Sequence, residues 1–170
     1  MINIRPAEHH DAAVLPNVER SSGAIFREWP GLEWIADDDV QSIQQHHDLI
    51  ASGVVLVAEM PGRGVVGFVN GEFAADALHL WQVAVHHDYQ RRGIGRRLIE
   101  AAKRRARQRG LAALTLTTFR QVPWNAPYYA RLGFRVLEAD AVNPRLKAIL
   151  EREAQAGLPA GHRCAMVLSV

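Results

Sequence analysis

The segment from residue 78 to 109 constrains the fold more than any other part of the 170-residue chain. Residues 78–85, Leu-His-Leu-Trp-Gln-Val-Ala-Val, have the apolar, β-branched character of a strand. His86 to Tyr89 interrupt it, and Gln90-Arg91-Arg92-Gly93-Ile94-Gly95-Arg96 then opens a helix over 93–109. Ile94, Leu98, Ala101 and Ala102 form the apolar stripe of that helix, and Gly110 closes it. Glycines at such a turn let the backbone come close to a ligand. The free N–H groups of the first helical turn, with the helix dipole, favour a phosphate there. Arg91, Arg92 and Arg96 add positive charge, so the turn suits a pyrophosphate. It is not a Walker A loop, because no Gly-Lys-Ser/Thr follows. Nor is it the dinucleotide fingerprint, whose third glycine is missing where Arg97-Leu98 stand. Taken alone, a Gly-x-Gly reads first as a plain strand-to-helix connection.

The rest of the chain supplies the frame. Strands are predicted over 2–5, 54–59, 65–73, 111–119, 134–138 and 163–169, with Pro61-Gly62-Arg63-Gly64 turning the second into the third. Helices are predicted over 8–22, from Asp37-Asp38-Asp39 to Gly53, over 125–132, and over 144–156. Asn125 reads as an N-cap, with Ala126 and Pro127 opening the third of these. Antiparallel-looking strands come first and a strand–helix–strand unit later. That order predicts an α/β fold with a sheet of mixed direction. No repeat or linker divides the chain, so one domain over 1–170 is expected.

Composition narrows the function classes. Net charge is +2 and hydrophobic residues make up 48%, an ordinary globular balance. Arg96, Arg97, Lys103, Arg104, Arg105, Arg107 and Arg109 lie on one helix with no aromatic interleaving, which reads as a solvated face and not a nucleic-acid surface. A single cysteine, Cys164, excludes an internal disulfide. No apolar run suggests a signal peptide or a membrane span, so a cytoplasmic location is expected and no membrane partner. The His-His pairs at 9–10, 46–47 and 86–87 point apart within each pair, and no metal site is expected.

Gln-x-x-Gly-x-Gly at 90–95, after a strand ending Val-Ala-Val, resembles the acetyl-CoA motif of the GNAT acetyltransferases. Tyr-Ala-Arg-Leu-Gly-Phe at 129–134 is similar to the Tyr-x-x-x-Gly-Phe signature of the same family. The two occur in the family's order with a helix and a strand between them. The resemblance covers about 78–138 and implies a mostly antiparallel, twisted sheet of about seven strands, splayed between strands four and five. It implies acetyl-CoA as co-substrate, with the backbone of Val83 and Val85 holding the pantetheine arm as an added strand would. Arg91, Arg92, Gly93, Ile94, Gly95 and Arg96 would hold the pyrophosphate. Relatives commonly dimerise, so a homodimer is among the expectations.

Amide formation from a thioester needs a neutral amine, donors for the developing oxyanion, and a proton for the departing thiolate. The resemblance implies Tyr129 as the acid, four residues before Gly133; packing of the short helix is its plainer reading. His79, on the cofactor strand, is a candidate base, since imidazole titrates near neutrality. Glu72, Glu33 or a water chain are the alternatives, and a merely hydrogen-bonded histidine is equally compatible with the sequence. Trp29, Glu33 and Trp34 join aromatic area to negative charge and are expected to receive a small cationic amine. Cys164 on the last strand reads as buried, so direct transfer to the amine is expected. A non-catalytic acyl-CoA sensor, or transfer to a protein amine, remain the other readings.

Overall fold

The computed structural model describes residues 1–170. Seven strands form one sheet: β1 (Asn3–Pro6), β2 (Val54–Met60), β3 (Gly64–Phe73), β4 (Ala77–Val85), β5 (Ala113–Phe119), β6 (Arg135–Leu137) and β7 (Arg163–Ser169). The spatial order is β1-β2-β3-β4-β5-β7-β6. Neighbours run antiparallel except β4 and β5, which are parallel. The β4–β5 connection is the one crossover that needs a helix. That helix is α3 (Ile94–Gln108), within a residue of its sequence-based limits.

The N-terminal region departs from its expected form in two places. The helix expected over 8–22 is a 3-10 turn at His9–Ala13 followed by α1 (Leu15–Gly23). Pro16 explains the break: its ring would clash with the carbonyl four residues back, and it has no N–H to donate. The next helix does not start at Asp37–Asp39. α2 spans Ile43–Ser52, capped by Ser42, whose hydroxyl accepts from the Gln45 N–H while Gln45 bonds back to the Ser42 N–H. A reciprocal capping box satisfies two orphan donors, which acidic charge alone does not. The residues between α1 and α2 form 3-10 turns at Ala24–Glu28 and Glu33–Asp37. α4 (Ala126–Arg131) and α5 (Pro144–Gln155) complete the set.

Helices cover both faces of the sheet. α3 buries Ile94, Leu98, Ile99, Ala102 and Ala106 against Leu56, Leu78, Leu80, Leu114 and Met166. Leu98 is wholly buried, so truncation to Ala there costs about 2–5 kcal/mol. On the other face α1 and α2 bury Leu15, Val18 and Leu49 on Val55, Val57 and Phe68. α5 sets Leu146 and Ile149 against Ala165 of β7. No helix is long and apolar enough to cross a membrane.

The sheet opens in the middle. β4 and β5 pair only at Ala77–Ala113, Leu78–Leu114 and His79–Thr115. Beyond His79, β4 stays with β3 and β5 stays with β7, as far as Phe119–Arg163. The result is a V between the C-terminal halves of two central parallel strands, a place where an α/β sheet has room for a ligand.

Candidate active site

The V holds a cleft of about 860 Å³. One wall is Gln82 to Val85 of β4 and the turn into α3; the other is Leu116 to Phe119 of β5. His86 N–H donates to Val66 O on β3 at 2.8 Å. Strand alternation therefore turns the N–H and C=O groups of Val83 and Val85 away from β3, towards the opening. Val85 is already engaged there: its carbonyl accepts from Gln90 Nε2 at 2.9 Å, and its N–H meets Ser22 Oγ at 3.4 Å. The glutamine thus pins the loop to the end of the strand. Val83, past the last β4–β5 pair, is the residue whose edge remains open.

The turn at 90–94 is built from unusual backbone. Arg91 has φ +62° and Gly93 has φ +77°, both in the left-handed region. A non-glycine residue there is uncommon and carries strain. Nothing lies within 4 Å of where a Cβ on Gly93 would stand, while a Cβ on Gly95 would overlap the Tyr128 hydroxyl. Gly93 is the N-cap of α3 and has no side chain to cap it. The first-turn N–H groups are left for an external acceptor, with Arg91 and Arg96 lining the same cleft. Donors, helix dipole and two guanidinium groups fit a pyrophosphate.

Across from this turn, α4 brings Tyr128 and Tyr129 to the cleft. Tyr129 stacks edge-on against Tyr128 and Phe134, with centroids 5.4 and 5.6 Å apart. Its hydroxyl bonds to no other protein group, and burial pushes the phenol above its ordinary value, so it stays protonated. Asn125 occupies the N-cap position of α4 but caps nothing; its Nδ2 donates to Trp124 O at 3.1 Å.

Two partly buried carboxylates, Glu153 and Glu19, line the cleft. Glu153, from α5, accepts through Oε2 from Thr117 Oγ1 and Arg163 Nη2, each at 2.9 Å; its Oε1 is buried without a partner. Glu19, from α1, is half-buried and accepts from the Gln41 N–H at 3.1 Å. Sequence reasoning missed both, although each sits on an apolar stripe: Leu15, Val18, Glu19, Ser22 and Leu146, Ile149, Leu150, Glu153. A glutamate inside such a stripe is the signal that could have found them.

A family model described as the acetyltransferase (GNAT) family matches residues 23–134, well over half of the chain. This protein belongs to the GNAT acetyltransferase family. Acetyl-CoA is accordingly its acyl donor. The PaiA N-acetyltransferase of Thermoplasma acidophilum, solved in complex with coenzyme A, superposes with a TM-score of 0.74 at 20% identity, covering 100% of this chain and 99% of that one. The ribosomal-protein-S18-alanine N-acetyltransferase of Escherichia coli gives 0.67 at 20% identity, covering 100% and 94%. N-acetylglutamate synthase of Neisseria gonorrhoeae, complexed with coenzyme A and N-acetyl-glutamate, gives 0.70 at 17%, covering 99% of this chain and 35% of that one. The fold is common to all three, while the acceptors named for the second and third differ.

Within this acetyltransferase the expected site residues separate into two groups. Val83, Val85, Arg91, Gly93, Ile94, Gly95, Arg96 and Tyr129 line the cleft. Arg92 does not; its guanidinium lies over the Tyr89 ring at 5.5 Å. His79 is corrected as the base. It is 2% exposed at the closed end of the V, with Nδ1 2.9 Å from Thr115 Oγ1, and burial lowers it to about 3. A ring that stays neutral and enclosed has no route to an acceptor's proton. Glu72, exposed on β3 opposite His79, also lies outside the cleft. The acceptor trio is corrected too. Trp29 packs edge-on against Trp124, Glu33 accepts from the Gly31 N–H at 2.9 Å, and Trp34 is 41% exposed. None of the three lines the cleft. Cys164 is buried on β7 opposite Thr118, outside the cleft, with its thiol pushed up by burial.

Proposed function

We propose that this acetyltransferase moves an acetyl group from acetyl-CoA directly to the amine of a small molecule. The observation that carries this reading is the roof over the far end of the cleft. Leu32 and Phe26 of the 24–37 segment, and Leu158 after α5, pack in one cluster with Phe119, Val122 and Trp124. Segments from the two ends of the chain meet over the mouth of β5. An extended peptide needs a groove open at both ends; a roofed basin suits a compact acceptor. Glu19, Asp38, Asp39, Phe26, Trp81 and Trp124 line it, so carboxylates and aromatic faces are offered together, as a cationic amine requires.

Roles follow from chemistry. The α3 N-terminus, with Arg91 and Arg96, binds the pyrophosphate. Val83 offers its open edge to the amide-bearing arm. Tyr129 holds a phenolic proton that the departing sulfur can take. Glu153, fixed by Arg163 and Thr117, adds negative charge to the cleft wall that favours a cationic amine. The test is thiol release from acetyl-CoA with a panel of small amines, amino acids and peptides, followed by mass detection of the product. Acetylation of one or more small amines is expected; turnover with peptides alone would overturn the reading.

A further inference from the structure

Four carboxylates line the cleft: Glu19, Asp38, Asp39 and Glu153. They are not equivalent. Glu153 already has a guanidinium partner in Arg163. Asp38 and Asp39 are exposed to water. Glu19 alone is withdrawn from solvent with no cation at ion-pair distance, and the Gln41 N–H is the one hydrogen bond it accepts. We propose that Glu19 is the general base of the transfer, taking the proton that the acceptor's ammonium must lose before attack. This rests on the small-amine reading above.

The surroundings hold Glu19 in place and bring its titration close to neutrality. Gln41 is fixed from the sheet, since its Oε1 accepts from Asn70 Nδ2 at 2.8 Å. Asn70, 1% exposed on β3, accepts in turn from the Gln82 N–H at 3.1 Å, beside the irregularity where β3 shifts register against β4. The carboxylate is thereby tied, through Gln41 and Asn70, to the strand that forms the cofactor wall. Burial raises its carboxyl to about 7, against the opposing pull of the Gln41 N–H and Arg20. Of the charged groups nearby, Arg20 is on its own helix and Asp38 and Asp39 are on the following segment. The sheet adds only neutral Asn70 and Gln82. His46 of α2, which meets Asn70, is held neutral down to about 4. A base that titrates near the working pH is the most effective one.

The balance of the step is simple. One N–H bond of the ammonium breaks and an O–H bond forms on Glu19. The freed lone pair makes the C–N bond at the thioester carbonyl as the C–S bond breaks, and the sulfur takes the Tyr129 proton. The nitrogen's surplus proton returns to the Tyr129 oxygen, and Glu19 gives its proton to water. Ammonium and thioester become amide, thiol and one proton.

The experiment compares wild type, Glu19→Gln and Glu19→Asp from pH 5.5 to 9, with an amine that the wild type acetylates. Wild-type kcat/KM should break near pH 7. Glu19→Gln should lose that break and about 10²–10⁴-fold in kcat at pH 7. Its deficit should shrink as rising pH deprotonates the amine in solution. Glu19→Asp should keep the break at reduced kcat. Independently of activity, Glu19→Gln should melt higher than wild type at pH 8.5 and equally at pH 5, because it removes an unpaired, half-buried charge. A retained break near 7, an equal loss at every pH, or identical melting at pH 8.5 would overturn the assignment. If the wild type acetylates no small amine, the functional reading fails instead, and the melting comparison still judges the state of Glu19.

Discussion

Two glycines of this chain offer a matched test of the cofactor cradle. Gly93, before α3, has φ +77°, and Gly62, in the β2–β3 turn, has φ +76°. A Cβ at either would meet nothing within 4 Å. The substitutions Gly93→Ala and Gly62→Ala therefore carry the same cost, the left-handed conformation itself, of about 1–2 kcal/mol. In a chain of this size that lowers Tm by about 2–8 °C in both. Their responses to acetyl-CoA should differ. At ~100 times its dissociation constant, the ligand should stabilise wild type and Gly62→Ala by about 2.7 kcal/mol. Gly93→Ala should show little of this, because its methyl stands where the pyrophosphate must approach the α3 N-terminus. Thermal melts with and without acetyl-CoA measure both quantities. Full ligand stabilisation of Gly93→Ala, or equal loss in the two variants, would refute the placement of the cradle.

Tyr129→Phe removes one hydroxyl and should lower single-turnover transfer by about 10²–10⁴-fold with little change in acetyl-CoA affinity, read from rapid-quench product formation and thermal shift. Phe26→Ala should raise the acceptor's KM more than that of acetyl-CoA in steady-state assays, since Phe26 belongs to the roofed end alone. Acid should destabilise the fold: His46 and His79 take up protons near 4 and 3 when folded but near 6.5 when unfolded. Below pH 6.5 the unfolded chain binds two protons that the folded chain refuses, while Glu19, raised to about 7, offsets one of them down to its unfolded value. The net loss is about 1.4 kcal/mol per pH unit between pH 6 and 5, measurable by urea unfolding. Unchanged stability over that range would contradict the burial of these rings.

The strands and α3 were legible because local rules and tertiary packing agree there. Leu78 to Val85 reads as a strand and buries as one; Gly93 and Gly110 punctuate α3 at both ends. The resemblance pointed to the turn at 90–96, where Gly93 holds a left-handed backbone, and a backbone requirement of that kind leaves a mark in sequence. The start of α2 was misplaced because three aspartates outweighed Ser42 and Gln45 on charge, although the capping box makes two hydrogen bonds and diffuse charge makes none. How soon β4 and β5 part after His79 depends on which residues of β5 prefer β7. No single strand's pattern records that choice.

Side-chain roles at the acceptor end were the least legible, and Trp29 and Glu153 show why. Trp29 has the type expected of a pocket wall, yet its neighbour across the loop, Trp124, turns it into packing. Residue type gives the chemistry a side chain can perform, while only the fold decides whether that chemistry meets solvent, a partner or a ligand. Glu153 has the type expected of a solvated helix face, yet α5 turns it inward to Thr117 and Arg163. The informative pattern was not the residue but its violation of periodicity. A carboxylate at an apolar position must find compensation. For Glu153 that is Arg163, on the neighbouring strand β7. For Glu19 no cation stands at ion-pair distance, and the compensation is a carboxyl raised to about 7, which takes up a proton at a pH where an exposed glutamate would stay charged.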